Sequence, residues 1–94
     1  EGCLFINTSR GFVVDAYALA NHLRHDSTAF AMLDVHRPEP VHADYPLLTL
    51  PNVELYPHIA CKTQTATINM GWVVKDVIAV LNNETPQFEA VLQQ

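Results

Sequence analysis

The stretch NVELYPHIACKTQTA, residues 52–66, decides how this chain is read. A short apolar run, VELY, closes at Tyr56, and Pro57 and His58 follow at once. Small residues come next, then a helix start at Thr63. The apolar run has the length of a strand and is too short for a buried helix. A histidine pinned by proline at the tip of a buried strand has two readings. It is a satisfied histidine at a strand edge, or it faces a cleft and moves protons near neutral pH.

The pattern repeats toward the N-terminus. CLFINTS, residues 3–9, is a short buried strand followed by a turn at Arg10 and Gly11. Asp15 is a plausible N-cap for AYALANHLRH, in which Tyr17, Ala20 and Leu23 can share one face at helical spacing. TAFAMLDV, residues 28–35, is a second buried run of strand length. HRPEPVHADYP, residues 36–46, holds three prolines and no periodicity, and reads as a loop. From Thr63 a long helical pattern carries Ile68, Trp72, Val73, Asp76, Ile78, Ala79 and Leu81, and ends at Asn82 and Asn83 before Pro86. The order is β-α-β-loop-β-α. Strands that read as continuous apolar runs mark a parallel sheet covered on both faces. The fold class is therefore α/β: a parallel sheet of about three strands with flanking helices and a long C-terminal helix.

Composition sets bounds. With 94 residues, 49 % of them hydrophobic, the chain is at most one small globular domain. Five Lys and Arg against ten Asp and Glu give a net charge of −5 and no basic patch, so nucleic-acid binding is not expected. No apolar run approaches the roughly 20 residues of a membrane span, and a cytoplasmic protein is expected. Cys3 and Cys61 show no disulfide or metal spacing and read as free thiols. His22 and His25 lie one helical turn apart, and His36 and His42 share a loop, but no third and fourth ligand has matching spacing, so no metal is expected. The sequons at Asn7 and Asn83 carry little weight without a secretory signal. The chain runs into its first strand without an initiator methionine and is expected to be a piece of a longer protein.

The strands end in polar residues: Asn7 to Arg10, Asp34, and His58. Open parallel sheets bind ligands outside the carboxyl ends of their strands, so topology alone brings Arg10, Asp34 and His58 to one rim. Glu39 lies just past the second strand and can reach that rim. A guanidinium fork can grip a carboxylate bidentately, and a glutamate beside a histidine can fix its tautomer. Singly, each residue has a plainer reading: Arg10 as an ion-pair arginine, Asp34 as a loop cap, Glu39 as a solvated loop residue.

FINTSRGFVVDAYALANHL, AMLDVHRPEP and LLTLPNVELYPHIA resemble the C-terminal part of the nucleotide-binding domain of the D-isomer-specific 2-hydroxyacid dehydrogenases. That family includes the phosphoglycerate, glyoxylate/hydroxypyruvate and D-lactate dehydrogenases. The resemblance runs from Leu4 to about Thr85 and rests on three motifs in order: N-x-x-R-G, D-V-x-x-x-E-P and P-H-I-A. It implies an NAD- or NADP-dependent oxidoreductase acting on 2-oxo and 2-hydroxy acids. By the match, Arg10 grips the substrate carboxylate, His58 is the acid/base and Glu39 its partner. Asp34 bonds the nicotinamide carboxamide, and Thr8, Ser9, Arg10 and His58 line the nicotinamide side of the cofactor. By the resemblance, residues 1–85 form the C-terminal portion of the dinucleotide-binding domain, a partial Rossmann-like domain, and 86–94 a tail returning toward the substrate domain. The remainder of the polypeptide and a second copy, in a homodimer, are the expected partners. The family's glycine fingerprint is absent, since the glycines are Gly2, Gly11 and Gly71, and the 94 residues alone are expected to be inactive. Two other readings compete: a dehydrogenase-related nucleotide-sensing corepressor without turnover, and an interaction module presenting the long helix.

Overall fold

The structure, a computed structural model, describes residues 1–90. It divides into two units, one ending at Ala60 and one beginning at Cys61.

The first unit is built on three parallel strands: β1 (Leu4–Asn7), β2 (Phe30–Leu33) and β3 (Val53–Leu55), in that spatial order. The register pairs Phe5 with Ala31 and Asn7 with Leu33, and Ala31 with Val53 and Leu33 with Leu55. Paired residues share a face of the pleat, so these rows form the inner surface. Helix α1 (Ala16–His25) covers it with Ala20 and Leu23, and the long loop after β2 adds Tyr45 and Leu47. Leu33 and Leu47 are each 1 % exposed; burial of such a side chain contributes about 2 kcal/mol.

The predicted cap is present. The Asp15 carboxylate accepts from the backbone N–H groups of Tyr17 at 3.0 Å and Ala18 at 3.1 Å, satisfying two orphan donors of the first turn. Of the predicted face, Ala20 and Leu23 are buried, whereas Tyr17 stands out into solvent. At the other end, the Asn52 side-chain amide donates to the carbonyls of Leu23 at 2.9 Å and Ala29 at 3.0 Å. One residue thus joins the end of α1, the entry to β2 and the entry to β3.

The expectation of cover on both faces is met on one only within this unit. Leu4 and Ile6, in the outer rows, are 60 % and 58 % exposed. The physical reason is supply: α1 is the one α-helix among residues 1–60.

In the second unit the long helical stretch runs from Gln64 to Leu81 in two parts, α2 (Gln64–Gly71) and α3 (Val73–Leu81). Thr63 caps α2, its hydroxyl accepting from the Ala66 N–H at 3.0 Å. The break falls at Trp72, whose N–H turns to the Asn69 carbonyl at 3.2 Å, an i−3 bond just after Gly71. Glycine is a poor helix interior residue, and an i−3 bond tightens the last turn. Asn82 and Asn83 end α3, with Asn83 in the left-handed region at φ 59°. The Asp76 carboxylate then holds the following segment through the N–H groups of Gln87 and Phe88, both at 2.9 Å. No residue of α2 or α3 is buried. Both cysteines are free and exposed. Among the described residues, no helix is long and apolar enough to cross a membrane.

Candidate active site

The carboxyl ends of the three parallel strands carry the candidate residues, and each is held by bonds that begin in local sequence. After β1, buried Asn7 folds its side chain forward. Its carbonyl oxygen accepts from the Ser9 N–H at 3.1 Å and the Ser9 hydroxyl at 2.7 Å, while its amide donates to the Arg10 carbonyl at 3.1 Å. Such Asx turns replace ladder bonds that the ending strand no longer makes. The chain therefore turns at Ser9 and presents Arg10 outward; one guanidinium nitrogen donates to the Ser9 carbonyl at 2.7 Å, the one bond of the fork among the described residues. With its amide engaged, Asn7 acts as a turn residue.

Gly11 brings the β1 rim against the β2 rim. An added Cβ there would lie 2.1 Å from the His36 carbonyl carbon and 2.7 Å from the Arg37 nitrogen. Only hydrogen fits.

After β2, Asp34 is 6 % exposed, and both its oxygens are engaged. They accept from the N–H groups of Ile59 at 2.9 Å and Ala60 at 2.8 Å. Burial pushes this carboxyl up, but those two N–H groups, with His58 and His36 nearby, outweigh it and hold its pKa below the ordinary value. This bonding is the loop-cap arrangement: Asp34 clamps the backbone just beyond His58. The clamp matters because His58 sits at φ 58°, a left-handed conformation that a side chain adopts only when its surroundings hold it.

Glu39 meets His58. Its Oε2 lies 2.7 Å from His58 Nδ1, and its Oε1 accepts from the His36 N–H at 2.8 Å. The His36 N–H and the His58 ring lower the Glu39 pKa from its ordinary value of 4.5, so the carboxylate is ionised at neutral pH and accepts from a His58 Nδ1–H. His58 Nε2 makes no hydrogen bond among the described residues. A cavity of ≈ 510 Å³ is lined by Arg10, Gly11, His36, Glu39 and His58. A second, mainly apolar cleft of ≈ 350 Å³ lies against the same pair, walled by Leu48, Leu55, Tyr56 and Pro57.

Of the residues singled out from sequence, Arg10, Glu39 and His58 thus share one cavity. Asp34 lies beneath the loop that carries His58 and lines neither cavity. Thr8 and Ser9 form the exposed turn after β1. Among the described residues, no three His, Cys, Asp or Glu side chains gather as a metal site. Sequence places Asn7 at the strand end and Gly11 in the turn but assigns neither a role in the site, and it assigns none to His36. The N-x-x-R-G spacing contains the signal for the first two, an Asx turn followed by a residue without a side chain. Nothing local marks His36.

Residues 1–60 match the family described as D-isomer specific 2-hydroxyacid dehydrogenase, NAD binding domain. The chain belongs to this family. It is 37 % identical over 91 residues to D-3-phosphoglycerate dehydrogenase of Archaeoglobus fulgidus, covering 97 % of the chain and 17 % of that protein. D-lactate dehydrogenase of Lactobacillus jensenii, solved with NAD+, superposes with a TM-score of 0.59 at 32 % identity, covering 95 % of this chain and 31 % of that one. A probable 2-hydroxyacid dehydrogenase from Rhizobium etli, solved with NADP, gives a TM-score of 0.65 at 30 % identity, covering 94 % and 27 %. The chain therefore spans less than a third of the length of these relatives. Membership accounts for the parallel topology and for polar residues gathered at the carboxyl ends of its strands.

Proposed function

We propose that this chain contributes the acid/base pair and the carboxylate clamp of an NAD- or NADP-dependent D-2-hydroxyacid dehydrogenase, with residues 1–85 forming the C-terminal portion of its dinucleotide-binding domain. Residues 86–94 are then the return toward the substrate domain, of which 91–94 lie outside the described residues. The observation that carries the reading is the 2.7 Å contact between His58 and Glu39 in a cavity shared with Arg10.

The residues present suit the nicotinamide end of a dinucleotide: an open surface depression beside the exposed turn of Thr8 and Ser9, where Arg10 makes a single guanidinium hydrogen bond among the described residues. A bound nicotinamide supplies or takes the hydride. Arg10 holds the substrate carboxylate with its planar fork. Glu39, ionised and oriented by the His36 N–H, accepts from His58 Nδ1–H, so Nε2 is the nitrogen that exchanges a proton with substrate. In reduction Nε2–H bonds the carbonyl oxygen and delivers its proton as negative charge develops there. In oxidation the same nitrogen accepts the hydroxyl proton. Asp34 keeps the His58 backbone in place through Ile59 and Ala60.

The test is His58→Ala in the full-length protein. Removal of a general acid/base costs about 10²–10⁴ in rate, whereas cofactor affinity should stay near wild type. Turnover of a 2-oxo acid within a few-fold of wild type would dismiss the assignment.

A further inference from the structure

We infer that His36 is a positioning residue that holds the Glu39–His58 pair from both sides, a role resting on the reading of that pair as acid/base. Its backbone N–H donates to Glu39 Oε1 at 2.8 Å. Its ring Nε2 lies 2.7 Å from the Tyr56 carbonyl, and its Nδ1 lies 3.3 Å from the Tyr45 hydroxyl. A carbonyl only accepts, so Nε2 carries the proton. In the neutral ring Nδ1 then accepts from the Tyr45 O–H. The ring also meets Tyr45 edge-on, with centroids 5.5 Å apart.

These contacts join three segments. Glu39 lies on an exposed loop, three residues after His36. Tyr56 is two residues before His58, with Pro57 between them fixing the backbone. Tyr45 is 8 % exposed and packs in the core cluster. His36 therefore takes its own position from the core through Tyr45, and it fixes both the carboxylate and the approach to the imidazole against that reference. Asp34 holds the His58 backbone, but burial holds neither side chain of the pair, since His58 and Glu39 are 38 % and 35 % exposed. A pair that works by donating one proton along one direction needs this support more than it needs burial.

His36→Phe in the full-length protein keeps an aromatic ring and the backbone N–H but removes both ring hydrogen bonds. We expect kcat to fall about tenfold while the KM for the oxo acid and the cofactor Kd change less than twofold. His36→Gln can place an amide N–H where Nε2 stood, and should recover most of the lost kcat. Tyr45→Phe removes only the hydroxyl that bonds His36 Nδ1; it should lower kcat with the same unchanged KM, and it supplies the test if His36→Phe does not fold. A merely structural role would lower thermal stability without this kcat-against-KM split and without rescue by glutamine. His58→Ala run in parallel separates the two claims. If it abolishes turnover while His36→Phe and Tyr45→Phe keep kcat within twofold, the His36 inference fails alone. If His58→Ala retains turnover, the acid/base reading fails with it.

Discussion

Gly11→Ala is the sharpest probe of how the rim is assembled. A Cβ at this position would stand 2.1 Å from the His36 carbonyl carbon, 2.2 Å from its oxygen and 2.7 Å from the Arg37 nitrogen. All three are backbone atoms, so no side-chain rotation relieves the overlap. Ordinary contact begins at 3.4 Å, so one of the two segments must shift by about 1.3 Å. Overpacking that displaces backbone costs about 1–3 kcal/mol, and the upper part of that range applies where nothing flexible can yield. The displaced segments carry Arg10 on one side and the His36 N–H that holds Glu39 on the other. A misplacement near 1 Å can cost about 10²-fold in rate, so kcat/KM for a 2-oxo acid should fall by at least about tenfold. Calorimetry on the full-length protein, paired with NADH consumption, reads both effects. Gly71→Ala is the matched control, because among the described residues nothing lies within 4 Å of a Cβ there; it should be neutral or slightly stabilising. A Gly11→Ala protein that unfolds within about one degree of wild type, with kcat/KM within twofold, would refute the argument that backbone proximity aligns the site.

Arg10→Lys keeps the charge and loses the fork, so the KM for the oxo acid should rise about tenfold; an unchanged KM means that the carboxylate is held elsewhere. Asp34→Ala leaves the Ile59 and Ala60 N–H groups without their acceptors and should cost about 2–4 kcal/mol in denaturant titration, with kcat reduced because His58 loses its backbone clamp. A neutral Asp34→Ala would show that the left-handed His58 needs no such support. Acid should undo the same contacts. The folded-state pKa values of Asp34 and Glu39 lie below their ordinary 3.8 and 4.5, so their stabilisation is complete above those values and is lost as pH falls through the lowered ones. Thermal stability measured from pH 6 downward should drop below about pH 4.5, and Asp34→Asn should flatten that limb; an acid limb that Asp34→Asn leaves unchanged would rule out the carboxylate as its source.

Much of the fold is written locally. Continuous apolar runs of strand length, an aspartate before a helical pattern and a proline-rich gap are enough to order the elements. Once the strands are parallel, their carboxyl ends share one side, and Arg10, Glu39 and His58 come to one rim without any further information. That part of the site was legible because it follows from topology and from residues that punctuate strands. The hydrogen bonding of Asp34 was not. Whether its oxygens face a ligand or the N–H groups of Ile59 and Ala60 depends on where a segment 25 residues away passes, and the sequence allowed both.

The other decisions also lie with long-range geometry. Gly11 tolerates no side chain because the His36 backbone crosses it. His36 ties Glu39 to Tyr56 because a buried Tyr45 lies within reach of its ring. The outer face of β1 is apolar in sequence, yet bare beside a single covering helix. The helical period continues through Trp72, yet the chain breaks there after glycine. Periodicity and turn chemistry report what each residue asks of its immediate neighbours, and by themselves they determined the elements, their order and the rim. Hydrogen bonds between loops depend on how those elements pack, so tertiary structure alone decided which polar groups are engaged and which remain free for chemistry.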